Sequence, residues 1–189
     1  MIDKLSGLFT NKISEYSSYS EEEIKKIDYA LAVLLGESAK LIILYILFFF
    51  LGMLDFLIFS LIILITLRSF SGGIHFDSNF MCLIFTMLFF LITSYIVPKI
   101  HFNISNTSYI FGIISFLIIC IKSPRPSHRR PIIKEKRRRI LKNLSIFSAS
   151  IWIFVLFVYI KDIQLLNCGI ATIFLLSVQL LYEKKERIK

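Results

Sequence analysis

Hydrophobic positions in this chain of 189 residues come in long unbroken runs, separated by short polar or charged breaks. Such runs mark helices that cross a membrane, since about 20 apolar residues span the hydrocarbon core. Ahead of the first run, Ile2, Leu5, Leu8 or Phe9, Ile13 and Tyr16 recur at helical spacing among polar residues. This reads either as an amphipathic helix on the membrane surface or as a solvated helix. Ser20-Glu21-Glu22-Glu23 is a capping box, so a new helix should start there and run through residues 29–35 toward the first span. From 40 to 67 only Gly52 and Asp55 interrupt the apolar sequence, a stretch too long for one span and short for two. A turn at Gly52-Met53-Leu54-Asp55 predicts two closely joined spans, the first beginning before Lys40. A third span is expected from near Cys82 to Val97, ended by Pro98, then a polar loop over 101–108. A fourth follows over 109–121, a fifth over 144–160, a turn at Lys161-Asp162, and a sixth over 163–182. The fold class is thus an all-α integral membrane protein with about six transmembrane helices. Residues 1–28 form an N-terminal surface helical segment of a single membrane-embedded domain covering 1–189.

Composition agrees: 56% of the residues are hydrophobic, with 19 Phe, more apolar side chains than a soluble core of this length buries. The formal charge of +9 does not indicate nucleic acid, because the basic residues lie beside apolar runs, where they set topology and meet anionic lipid. With six spans, nineteen of the 22 Lys and Arg fall on one side: four before the spans, Arg68, ten over 122–142 and four in the tail. Lys99 and Lys161 fall on the other side, and Lys40 belongs to neither count. Short basic loops stay cytoplasmic, so both termini are expected there, together with the connector 68–82. The three cysteines, Cys82, Cys120 and Cys168, make no disulfide framework, and the last two read as packing residues. The first thirty residues are too charged for a cleavable signal.

Candidate chemistry gathers in the connector, Arg68-Ser-Phe-Ser-Gly-Gly-Ile-His-Phe-Asp-Ser-Asn-Phe-Met-Cys82. A thiol becomes a nucleophile when a base takes its proton, and imidazole is the usual base. In one continuous helix His75 and Cys82 would stand roughly 10.5 Å apart at their Cα atoms. Gly72-Gly73 loosens the backbone, and Asp77 or Ser78 can cap a new helix, which lets His75 fold back toward Cys82. Cys82 would then lie near a helix N-terminus, where the dipole favours thiolate. Backbone N–H groups around Gly72 and Gly73 and the Arg68 guanidinium are candidate oxyanion donors; a plain turn and a membrane anchor are their structural alternatives. Asp77 is the weak choice for orienting His75, with Ser71 and Asn79 as others.

The pattern Arg68-x4-Gly73-x-His75-x6-Cys82, between membrane spans and followed by a basic loop, resembles the accessory gene regulator protein B (AgrB) family. These are membrane cysteine endopeptidases that mature a quorum-sensing peptide. The resemblance implies His75 and Cys82 as the catalytic pair and Arg68 and Gly73 as further functional positions. It also implies an acyl-enzyme thioester, which a Cys or Ser of the substrate attacks to close a thiolactone or lactone ring, and it suggests a homodimer.

Two further groups carry charge. Glu37 and Lys40 are neighbours on one helix face, either as a local ion pair among headgroups or as functional groups at membrane depth. The basic linker 122–142, with Arg129, Arg130, Lys134, Lys136, Arg137, Arg138 and Arg139, reads as topology and lipid contact or as a surface for a charged part of the precursor peptide. His101 and His128 read as surface histidines. No metal cluster is present, and no cofactor is expected. A non-catalytic membrane exporter or scaffold for a peptide is the alternative function.

Overall fold

The structure, a computed structural model, describes residues 6–7, 10, 12–13, 20–73, 79–100, 105–125 and 134–182. Every regular element among them is helical. The chain divides into two compact units, Met1–Gly52 and Met53–Lys189.

The first unit is organised by helix α1 (Glu21–Phe50), 30 residues long. Its start is the expected capping box. Ser20 Oγ accepts from the Glu23 N–H at 3.4 Å, and the Glu23 carboxylate accepts from the Ser20 N–H at 3.0 Å. Glu21, Glu22 and Glu23 also place negative charge against the positive end of the helix dipole. Helix α1 stops at Leu51-Gly52, where Gly52 takes φ 67° and breaks the apolar run at the predicted turn. Of the N-terminal segment, Ser6, Gly7, Thr10, Lys12 and Ile13 are described, and all are helical. Ile2, Leu5, Leu8, Phe9 and Tyr16 lie outside the described residues. The described positions bury a polar face: Ser6 and Thr10 are buried while Ile13 is exposed. The Thr10 hydroxyl sits 2.9 Å from the Ser6 carbonyl and 3.2 Å from Asp28 Oδ1.

Among its described residues the second unit holds five helices of more than one turn. They are α2 (Leu54–Ser71), α3 (Asn79–Leu91), α4 (Ser105–Lys122), α5 (Glu135–Val158) and α6 (Ile163–Leu181). Helix α3 continues through a π-helical turn (Ile92–Ile96) into a last α-helical turn (Val97–Lys99). Pro98 therefore does not end this helix. It sits at the start of the last turn, where a missing N–H costs least, and the wide π turn ahead of it makes room for the ring. Helix α4 begins at Ser105, earlier than the apolar run suggests. Ser108, expected in a loop, is buried and bonds Asn167 Oδ1 of α6 at 2.9 Å, so its hydroxyl is satisfied inside the bundle. Helix α6 starts where Asp162 caps it by accepting from the Gln164 N–H at 2.9 Å.

Among the described residues, five helices are long and apolar enough to cross a bilayer, and a shorter apolar helix spans Thr107–Lys122. The protein is a multi-pass membrane protein. Large side chains such as Ile65, Ile113 and Phe147 face outward, as lipid-facing positions do.

Helix α6 is the axis of the second unit. Half of its apolar stretch is buried, against 17% for α5. Gly169 makes this possible, because a Cβ there would strike Leu156 of α5 and lie 3.1 Å from Phe59 of α2. Where α2, the π turn and α6 meet, a layer of hydroxyls replaces apolar packing. Ser60 lies 2.7 Å from Thr172 and 3.2 Å from Thr93, and Thr93 lies 3.3 Å from Ser94. All four are fully buried, and each satisfies another.

The basic linker is shorter than the charge pattern implies. Helix α5 starts at Glu135, so Lys136 to Arg139 are helical. Lys, Arg and Glu are good helix formers, and the run extends the following span. Residues 134–140 are all exposed, and the first buried side chain of α5 is Ser145, ten residues and about 15 Å along the helix.

Candidate active site

The connector starts at the C-terminus of α2. Gly72 ends that helix with φ 78°, and its N–H caps the Arg68 carbonyl at 3.0 Å. Gly73 is buried, and a Cβ there would come within 3.1 Å of Arg68 Nε. The Arg68 side chain thus folds back across the Gly73 backbone, and these two sequence-predicted positions are brought together. The Gly72 N–H is committed to the helix cap. The Gly73 N–H makes no hydrogen bond among the described residues.

Residues 74–78 follow, so His75 and Asp77 lie outside the described residues. Helix α3 begins at Asn79 and makes Cys82 its fourth residue; the cap expected at Asp77 or Ser78 lies outside the described residues. Cys82 is half-buried, and its carbonyl accepts from Thr86 Oγ1 at 2.7 Å. The positive end of a helix dipole acts over this first turn.

The corner is held from outside by a strap that follows α4. Within it, the Arg125 N–H donates to the Ser71 carbonyl at 2.9 Å. The Arg125 carbonyl lies against Gly72, where a Cβ would collide with it. Arg125 Nη1 donates to the carbonyls of Gln179 and Leu180, at 3.2 and 3.0 Å, in the last turn of α6. Ser123 bonds Ser145 of α5 at 2.7 Å, and Pro124 is buried. The ends of α2, α4 and α6 and the side of α5 therefore meet at one end of the unit.

The remaining sequence-predicted residues belong to other elements. Lys40 is buried in α1 and pairs with Glu37 at 2.7 Å, which is the local ion-pair arrangement. Lys134, Lys136, Arg137, Arg138 and Arg139 surround the first turns of α5, with Arg139 3.8 Å from Glu135. Arg129 and Arg130 lie outside the described residues. Cys168 is fully buried, with its thiol 3.6 Å from the Phe56 carbonyl, as expected of packing, and Cys120 is partly exposed. No group of three or more metal-ligating side chains occurs among the described residues. A cavity of about 310 Å³ lies between the last turns of α3, the start of α4 and the first half of α6, lined by Thr107, Ser108, Asn167 and apolar side chains.

Sequence reasoning counted Arg125 only as one more linker charge. Its flanking prolines, Pro124 and Pro126, are the available signal in the sequence of a backbone with restricted φ.

The family model for accessory gene regulator B matches residues 6–180. A putative AgrB-like protein of Clostridium beijerinckii is 33% identical over 168 residues, covering 87% of this chain and 80% of that protein. Accessory gene regulator protein B of Staphylococcus aureus (strain MRSA252) is 25% identical over 190 residues, covering 94% and 98% of the two chains. The protein of that name from Staphylococcus lugdunensis is 24% identical over 186 residues, covering 98% of both. No solved structure matches the chain.

Proposed function

The chain belongs to the accessory gene regulator B family, and on that premise we propose that it is a membrane cysteine endopeptidase maturing a cyclic signalling peptide. Cys82 attacks a peptide carbonyl of the bound precursor. His75 takes the thiol proton and returns it to the leaving amine, which leaves an acyl-enzyme thioester. A Cys or Ser within the substrate then attacks the thioester and closes the ring, releasing the thiol. The developing oxyanion needs donors. The Gly72 N–H is used as the cap of α2, and the proposed donors are the Gly73 N–H and the Arg68 guanidinium that lies beside it.

One observation carries the reading. Arg68 is folded over Gly73 at the entry of the connector, and Cys82 stands in the first turn of the helix at its exit. The reaction faces the cytoplasm in this reading, which follows from the nineteen basic residues on one side of six spans. Helix α4 supplies the sixth span; its 18 residues rise about 27 Å, close to the roughly 30 Å of the hydrocarbon core. The substrate is a precursor peptide, and the working assembly is a homodimer.

Co-expression with the peptide encoded beside it, followed by mass spectrometry, tests the proposal. Cys82→Ala abolishes cleavage, and His75→Ala lowers it by roughly 100- to 10,000-fold, both with normal membrane insertion. Cutting by Cys82→Ala, or undiminished cutting by His75→Ala, would leave the exporter or scaffold reading in its place.

A further inference from the structure

We propose that Arg125 is a positioning residue that holds the Gly72–Gly73 corner in its working geometry; the inference rests on the peptidase reading above. Three contacts converge on this residue. Its N–H meets the Ser71 carbonyl at 2.9 Å, one residue before the corner. Its own carbonyl packs against Gly72, at a position whose φ of 78° and missing Cβ both suit glycine. Its Nη1 donates to two carbonyls in the last turn of α6, at 3.2 and 3.0 Å.

The chemistry of each contact explains why an arginine stands here. The last carbonyls of a helix have no partner within it and carry partial negative charge. A guanidinium supplies directed donors that stay charged in an apolar setting. Arg125 thereby caps α6 with its side chain and buttresses the cap of α2 with its main chain. Ser123 fixes the same strap to α5 through Ser145 at 2.7 Å. The corner's position is thus set by three other helices as well as by α2. Gln179 adds to this junction a buried side chain, 5% exposed, whose Oε1 has no hydrogen-bond partner among the described residues. Loss of the guanidinium would free the two backbone carbonyls beside it.

Arg125 points its donors at protein carbonyls, so it acts on the reaction through Gly73 and Arg68. A shift of about 1 Å in such a group costs on the order of 100-fold in rate. The expected signature is a loss in kcat with KM unchanged.

The test uses the full chain in lipid nanodiscs, with the precursor peptide as substrate. In Arg125→Ala, amide hydrogen exchange over residues 70–73 accelerates at least tenfold, while exchange within the hydroxyl layer of α2 and α6 stays as it was. Precursor cleavage falls by about 10- to 100-fold in kcat, with KM within twofold. Arg125→Lys, which keeps a cation at the end of α6, recovers part of both effects, and it carries the test if the alanine variant does not insert. Unchanged exchange at the corner overturns the proposal, as does a rise in KM at constant kcat. If Cys82→Ala still cleaves the precursor, the peptidase reading fails, whereas the exchange measurement continues to decide the role of Arg125.

Discussion

Two polar regions sit within the second unit, and they are built on opposite principles. The hydroxyl layer of Ser60, Thr93, Ser94 and Thr172 is sealed, uncharged and closed on itself. The corner of Ser71, Gly72 and Gly73 is held by the main chain of Arg125, whose charged side chain is anchored on the last carbonyls of α6, and it leads straight into the connector. In a bilayer both polar regions are costly unless their groups are paired. The layer spends its pairing on holding three elements together. The corner keeps one N–H, that of Gly73, without a bond among the described residues.

Substitutions should separate the two regions cleanly. Gly72→Ala has the largest expected effect, because it combines a positive φ with a collision against the Arg125 carbonyl. Such a change costs about 1–3 kcal/mol locally. Cleavage should fall at least about 100-fold, since the whole displacement falls on the corner. Gly73→Ala is milder, because the Cβ would meet the movable Arg68 side chain, at 3.1 Å from Nε. Precursor turnover in the two variants checks the order, and equal losses would refute the close backbone approach. Ser60→Ala acts on the other region. Thr172 keeps its bond to the Cys168 carbonyl at 2.8 Å and Thr93 keeps Ser94, so neither hydroxyl is orphaned. The loss should be about 1 kcal/mol, read as a lower thermal midpoint, with turnover unchanged. A large drop in turnover would mean that the layer shapes the site.

Much of the fold was legible because hydropathy and capping are local signals. Ser20 with Glu23, Gly52, and Asp162 all mark the ends that the structure displays. Pro98 and Ser108 misled for a common reason: each looks like a helix breaker or loop residue in isolation, and each is accommodated by a neighbour distant in sequence or by a change of helical register. In the site, Arg68, Gly73 and Cys82 announce themselves by residue type within fifteen positions. Arg125 does not. Its role depends on carbonyls 54 and 55 residues away, and no local pattern encodes that pairing.

The smallest effect belongs to the basic turns of α5, and it returns to the contrast between well-placed and awkward charge. Helix α1 opens with three glutamates, as the dipole prefers. Helix α5 opens with Lys136, Arg137, Arg138 and Arg139, which oppose it, and only Glu135 compensates. Helix stability therefore does not account for that basic run. Consecutive residues turn by about 100° on a helix, so four in a row encircle it and form a collar just outside the buried part of α5. On the proposed function, a collar of this kind would attract lipid phosphates or an acidic stretch of the precursor at long range. Replacing Arg137, Arg138 and Arg139 together by Gln should raise the KM for the precursor by roughly three- to tenfold at low salt, with kcat unchanged. Screening shortens such attraction to within about 3 Å near 1 M salt, so the difference should vanish there. A KM that does not move at low salt would assign the collar to the bilayer alone.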